Sequence, residues 1–203
     1  MDRGAWSYPE AVRSSLARYL DLLYAESDRL NLTSVPRRQA WSRHVEESLD
    51  LVPARRWLLG ERVLDLGSGG GTPGIPLVIA QPQIALGLIE RDRAKATFLL
   101  RCCAELGLTS ARVFSRDAIE LARSDGFQTA DVLVSRAAVP APRLLALAGS
   151  LLRAGGEGLV HVGRSVSVDL DLSNAAARAG LTELRIETFG SSRLLRFVRL
   201  PAG

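Results

Sequence analysis

Val63-Leu64-Asp65-Leu66-Gly67-Ser68-Gly69-Gly70-Gly71-Thr72-Pro73-Gly74 reads as a short buried strand running into a glycine-rich turn. Glycines directly after such a strand let a ligand approach the backbone closely. Gly69, Gly71 and Gly74 satisfy the spacing G-x-G-x-x-G, a weak signal by itself. In the Pro-Gly-x-Pro that follows, a proline suits the start of the next helix, where its missing N–H costs little.

Outward from this turn, strands and helices alternate. Strands are expected at 84–90, 112–115, 131–135 and 158–162, with helices over 93–106 and 141–153. Such alternation predicts parallel strands joined by right-handed crossovers. The segments 184–189 and 194–200, separated by Gly190-Ser191-Ser192, predict a terminal β-hairpin. Upstream, Val12, Leu16, Tyr19, Leu20 and Leu23 recur at helical spacing and predict a helix over about 8–30, with a second over 37–57. The expected architecture is α/β, a doubly wound, seven-stranded, mostly parallel sheet of the Rossmann-like kind. An N-terminal helical extension (1–58) would join the main domain (59–203) in one unit.

Asp65 decides what the glycine turn holds. A dinucleotide would bring a dianionic pyrophosphate to the following helix N-terminus, and a carboxylate there would oppose it. S-adenosylmethionine has no phosphate and carries an ammonium and a sulfonium. Asp65 therefore suits the methionine amino group, directly or through water; its alternative role is to cap the loop through backbone amides. The residues expected to form this cradle are Asp65, Gly67, Ser68, Gly69 and Gly71. Glu90, about twenty residues on, suits two ribose hydroxyls. Arg116 and Asp117 follow the third strand, where Asp117 either bonds the adenine amino group or caps a helix.

The chain has 203 residues, enough for one domain with a modest extension. No apolar run approaches the roughly 18 residues of a membrane span, and Met1-Asp2-Arg3-Gly4 lacks signal-peptide features. A cytoplasmic monomer is expected. Cys102 and Cys103 are adjacent and are the only cysteines, so neither a disulfide framework nor a cysteine metal site is expected; one should be a core thiol and the other partly exposed. A net charge of +4 is compatible with an RNA partner. Lys95 is the only lysine among 26 basic residues, and arginine suits phosphate and base contacts.

Gly71-Thr72-Pro73-Gly74-Ile75-Pro76, Asn31-Leu32-Thr33, Arg43-His44-Val45-Glu46-Glu47-Ser48-Leu49 and Ser135-Arg136-Ala137 occur in an order and spacing that resemble the bacterial 16S rRNA guanine-N7 methyltransferase G family, also called glucose-inhibited division protein B. The resemblance implies a class I methyltransferase fold, S-adenosylmethionine as cofactor, and methylation of guanine N7 in the 530 loop of the small ribosomal subunit's RNA. It carries the cofactor motif onto Asp65, Gly67, Gly69, Gly71 and Glu90. It carries the Arg-His segment onto Arg43 and His44, the Ser-Arg-Ala onto Ser135, Arg136 and Ala137, and a last-strand arginine onto Arg193. The family's usual aspartate is Glu47 here, and its paired basic residues are Ala94 and Lys95. Its Leu-Lys-Gly after the fifth strand is His161-Val162-Gly163, with Arg164 or His161 left to supply a charge. That missing lysine motivates an alternative, a divergent paralogue acting on another RNA site or a small molecule; a further alternative is a non-catalytic ribosome assembly factor that binds S-adenosylmethionine and RNA.

Guanine N7 offers a free lone pair, so its methylation needs positioning more than a base. Ser135-Arg136-Ala137-Ala138 stands where exocyclic-amine methyltransferases carry Asp/Asn-Pro-Pro-Tyr/Phe. The cysteines lie on a helix away from the expected target pocket. Arg136, at the carboxyl end of a strand, is expected to orient the base or bind the cofactor, or else to pair with Glu47; His44 is expected to stack on a base or to serve the fold. Arg43, Lys95, Arg164, Arg193 and Arg196 are the expected RNA contacts, with Arg185 and Arg196 on an exposed strand face.

Overall fold

The computed structural model describes residues 8–124, 127, 129–136 and 139–201. Met1–Gly4, Ala137 and Ala138 lie outside the described residues. One seven-stranded sheet organises the chain: β1 (Arg62–Leu66), β2 (Ala85–Ile89), β3 (Ala111–Phe114), β4 (Ala130–Arg136), β5 (Leu152–His161), β6 (Leu181–Phe189) and β7 (Ser192–Arg199), in the order β3-β2-β1-β4-β5-β7-β6. The first five strands are parallel, and β7 pairs antiparallel with both β5 and β6. This is the doubly wound architecture expected from the alternation.

Strand alternation sends side chains to two cores. On one face, Val63, Leu86, Leu88, Val132, Val134 and Leu159 pack against α1 (Glu10–Leu30), α3 (Gly74–Ala80) and α4 (Arg93–Glu105). On the other, Leu64, Leu66, Leu133, Val160, Leu195 and Phe197 meet α5 (Ala118–Ala122), α6 (Ala141–Leu151) and α7 (Leu170–Arg178). The N-terminal extension shares the first core: Leu16, Tyr19, Leu20 and Leu23 of α1 are buried in the cluster that holds Val63 and Ile75. Cys102 and Cys103 are both buried in that cluster, whereas the sequence reading leaves one of them partly exposed.

Three further details depart from the sequence reading. The segment 37–57 is not one helix: a 3₁₀ turn (Arg37–Gln39) leads to a π-helical stretch (Trp41–Glu46) and a short α2 (Glu47–Leu49). Pro53 lacks an N–H and disfavours helical geometry at Val52, so turns replace helix there. The fifth strand starts earlier than its apolar run: Leu152 already pairs with Ala130, and the register against β4 then shifts between Ala130 and Val132. Finally, α7 is absent from the sequence reading, although Asp169 caps it by accepting from the Leu172 amide at 2.9 Å.

Candidate active site

The glycine loop is tied down on both sides. The amides of Gly67 and Ser68 donate to the Ile89 carbonyl, each at 3.0 Å. The Ser68 hydroxyl donates to the Asp65 carbonyl at 3.0 Å. Tyr19 of α1, fully buried, donates its hydroxyl to the Gly70 carbonyl at 2.8 Å. A β-carbon at Gly70 would sit 2.7 Å from Leu23 and 3.2 Å from the Leu32 carbonyl, so the extension presses directly on the loop. At Gly69, by contrast, φ is +52° and an added β-carbon would meet only the Gly67 carbonyl at 3.9 Å. The loop is therefore open at Gly69, where a ligand can lie against bare backbone.

Asp65 is fully buried at this loop. Its Oδ2 accepts the Gly74 amide at 3.1 Å, the capping role that the sequence leaves open as an alternative. Its Oδ1, also buried, has no hydrogen-bond partner among the described residues. Burial pushes its pKa up to about 7, against the opposing pull of the Gly74 amide, Ser68 and Arg136. A buried carboxylate oxygen without a donor costs free energy until a donor arrives. A cationic amine suits that oxygen in chemistry, and the open backbone at Gly69 suits a ligand lying beside it. The residues present thus fit S-adenosylmethionine. Glu90 follows β2 and accepts from the Gly69 amide at 2.9 Å and the Asp92 amide at 2.8 Å, so its carboxylate also buttresses the loop. Arg116 is exposed beyond β3, and Asp117 caps α5 by accepting from the Ile119 amide at 2.9 Å.

At the end of β4, Arg136 gathers the extension around the loop. Its Nη2 donates to Thr72 Oγ1 at 2.7 Å and to His44 Nδ1 at 2.9 Å. Its Nη1 donates to the Arg43 carbonyl and lies 3.6 Å from Glu47. The Glu47 pairing expected from sequence is thus present alongside three other contacts. His44 is buried, and its Nε2 lies 2.9 Å from Thr33 Oγ1. Burial first, then Arg136 and Arg43, hold its pKa down at about 4. With both ring nitrogens engaged inside the protein, His44 makes the contacts of a residue that serves the fold, the second of the two roles expected from sequence.

The basic residues singled out from sequence divide into two groups. Arg196 is not an exposed phosphate ligand: it pairs with Glu157, with Glu187 at 2.9 Å, and with the Ala54 carbonyl at 3.2 Å. Arg185 is likewise paired, with Glu187 at 2.6 Å and Glu183 at 3.4 Å, so the expected basic strand face is neutralised by its own glutamates. Arg193 donates to the Gly163 and Val166 carbonyls at 2.6 and 3.0 Å and pins the loop after β5. The exposed Arg43 pairs with Glu47 on its own turn. Arg164 is exposed in the loop that Arg193 pins, and Lys95 is half-buried in the first turn of α4. His161 supplies no charge in place of the family lysine. Its Nε2 donates to the Glu47 carbonyl at 2.8 Å, and burial holds its pKa down at about 4. The cysteines are no better as nucleophiles, since burial pushes Cys102 up to about 12 and Cys103 up to about 11.

Sequence reasoning missed Tyr19, Thr33 and Thr72 as site components. Tyr19 looks like any apolar position of a helix, and nothing in one sequence marks its hydroxyl as a loop tether. Thr33 and Thr72 stand out only as parts of motifs.

Residues 12–194 match the family model described as rRNA small subunit methyltransferase G. Among curated proteins, the chain is similar to the ribosomal RNA small subunit methyltransferase G of Sorangium cellulosum, 36% identical over 162 residues that cover 79% of this chain and 68% of the relative. It is also similar to that of Acidiphilium cryptum, 36% identical over 182 residues covering 87% and 77%. Among solved structures, a putative S-adenosylmethionine-dependent methyltransferase from Methanococcus maripaludis superposes with a TM-score of 0.60 at 13% identity, over 81% of this chain and 90% of that one. The Methanococcus jannaschii fibrillarin pre-rRNA processing protein gives 0.54 at 21% identity, over 70% and 68%. At these identities the structural likenesses speak for the fold alone.

Proposed function

The chain belongs to the rRNA small subunit methyltransferase G family, an S-adenosylmethionine-dependent class of enzymes, and from that premise we propose that it methylates N7 of a guanine in the 530 loop of 16S rRNA. The observation that carries the cofactor half of this reading is the buried Oδ1 of Asp65, without a partner among the described residues, beside the open backbone of Gly69. Asp65 holds the methionine ammonium. Gly67, Ser68, Gly69 and Gly71 form the cradle. Glu90 receives the ribose hydroxyls with the lone pairs its two amide donors leave, and Arg116 and Asp117 border the adenine. Arg136, fixed beside Thr72 and close enough to Asp65 to lower that residue's pKa, faces the cofactor's carboxylate end.

When bound, S-adenosylmethionine supplies an electrophilic methyl group. Guanine N7 needs no base to accept it, so the protein's task is orientation. Arg136, Arg43 and the extension fix the base or its backbone, with Lys95 and Arg164 at the rim for phosphates. The substrate is the small ribosomal subunit or its RNA, and the enzyme works as a monomer in the cytoplasm. Among the described residues, no helix is long and apolar enough to cross a membrane.

Methyl transfer from labelled S-adenosylmethionine to small subunits lacking the mark tests this reading, with borohydride reduction and aniline cleavage to locate N7-methylguanine. A single cut in the 530 loop is expected. No incorporation while cofactor binding persists would overturn it. That outcome would favour the divergent-substrate reading, which the neutral His161 and the apolar Val162 in place of the family lysine motivate.

A further inference from the structure

Arg136 can only donate hydrogen bonds, since a guanidinium has no acceptor. The contact from its Nη2 to His44 Nδ1, at 2.9 Å, therefore requires an unprotonated Nδ1. The single ring proton of the neutral imidazole then sits on Nε2 and is donated to Thr33 Oγ1, 2.9 Å away. Thr33 Oγ1 also accepts the Val35 amide at 3.0 Å, which fixes the hydroxyl between two donors. The other Nη2 proton of Arg136 goes to Thr72 Oγ1 at 2.7 Å, at the exit of the glycine loop. A single run of hydrogen bonds thus passes from the loop after α1, through the π-helical stretch and β4, to the cofactor loop. The groups around the imidazole are Arg136 from β4, Arg43 on its own turn, and the Tyr24 ring of α1, edge-on at 6.1 Å between centroids. Glu47, the carboxylate one turn on, is taken up by both arginines, and among the described residues no carboxylate bonds the ring, so nothing there favours a second ring proton.

We infer that His44 is a positioning residue, whose Nδ1 lone pair, held in place by Thr33, aims the Arg136 guanidinium at Thr72 and so fixes both the guanidinium and the glycine-loop exit for the cofactor. The two Nη2 protons have one acceptor each. With His44 replaced by an apolar side chain, one of them loses its partner inside the protein, and the guanidinium turns away from Thr72 to find another. A residue acting this way influences methyl transfer without touching substrate. The inference rests on the methyltransferase reading above, and its test uses readouts that do not depend on which RNA is methylated.

Cofactor binding by calorimetry and thermal melting are measured for His44→Leu, His44→Asn, Arg136→Ala and the His44→Leu/Arg136→Ala pair in the full chain. Loss of a buried partner predicts a drop in S-adenosylmethionine affinity of about tenfold or more for His44→Leu. Asn offers a carbonyl oxygen where Nδ1 stood, so His44→Asn recovers most of that loss. In the paired variant the two losses do not multiply, because both act through one guanidinium. Nitrogen NMR of the ring is expected to show the proton on Nε2 with no titration between about pH 5.5 and 8. Equal losses for Leu and Asn would overturn the inference, as would multiplicative losses in the pair or a ring that titrates at an ordinary histidine pKa. Should His44→Leu fail to fold, Thr33→Val and Thr33→Ser replace it. Valine is expected to weaken binding and serine to restore it, and equal behaviour of the two overturns the inference. If the unmodified chain binds cofactor yet methylates no small subunit, the proposed substrate fails while these binding and NMR outcomes still decide the role of His44.

Discussion

Asp65 sets binding against stability at a single carboxyl. Its pKa in the folded chain, about 7, lies above the ordinary value of 3.8. Between those two values the folded chain keeps a proton that the unfolded chain releases, so this group makes stability fall as pH rises through the window. The full effect is a few kcal/mol, since each tenfold change in proton affinity corresponds to about 1.4 kcal/mol. Asp65→Asn removes the charge while leaving an oxygen for the Gly74 amide. It is therefore expected to raise Tm at pH 8 and to change it little at pH 4, which thermal melts at the two values check. The same variant is expected to lose about tenfold or more in S-adenosylmethionine affinity, because a charged hydrogen bond to the ammonium is gone. In the unmodified chain, binding the ammonium requires the ionised carboxylate, so affinity declines as pH falls below about 7. A calorimetric series across that range checks the slope, and a flat series would remove Asp65 as the ammonium's partner.

Among the elements, α1 acts on the cofactor loop from outside the sheet. Tyr19→Phe deletes only the hydroxyl that bonds the Gly70 carbonyl. The loss of one buried hydrogen bond predicts about 1 kcal/mol lower stability and a severalfold weaker cofactor affinity, read by melting and by calorimetry. Gly70→Ala acts from the other side of the same contact. Its β-carbon would meet Leu23 Cδ1 at 2.7 Å and the Leu32 carbonyl at 3.2 Å, so the buried Leu23 side chain must turn aside and the segment after α1 must give slightly. Overpacking of this kind costs about 1–3 kcal/mol, and the variant should bind cofactor more weakly than Tyr19→Phe. These contacts mark the limit of what the sequence discloses. The buried run 62–66 and its glycines are legible because apolar pattern and glycine placement are local properties. So are the terminal hairpin and α1. The π-helical stretch is not legible, since its periodicity is helical and its departure from α geometry accompanies a contact with Arg136, 93 residues away from Arg43. Asp65 and Glu90 stand out as acids in a glycine motif. Thr33, Thr72 and Tyr19 act through partners that only the fold brings near.

Across the whole molecule, the distribution of charge separates what holds the fold from what is left for RNA. Counting arginines gives no such separation, because the carboxylates that neutralise Arg185 and Arg196 come from β5 and β6. Arg196 also reaches the Ala54 carbonyl, joining the hairpin to the turn that precedes β1. Arg196→Ala would remove the guanidinium that Glu157 and Glu187 share, leaving each with one arginine, Arg55 at 3.6 Å and Arg185 at 2.6 Å respectively. It is expected to lower stability by about 1–2 kcal/mol while leaving RNA affinity and its salt dependence unchanged. Lys95 and Arg164 carry the opposite expectation. Arg164 is exposed, Lys95 is half-buried, and both stand at the carboxyl ends of the parallel strands, the end that holds Asp65 and Arg136. Each phosphate contact removed lowers the slope of log affinity against log salt by about 0.7–0.9. Lys95→Ala and Arg164→Ala should therefore each flatten that slope by up to one contact's worth, with Tm unchanged. Salt titrations of binding to small subunits, run beside melts of all three variants, decide the matter. A flattened slope for Arg196→Ala, or none for the other two, would move the RNA-facing surface to the hairpin edge of the sheet.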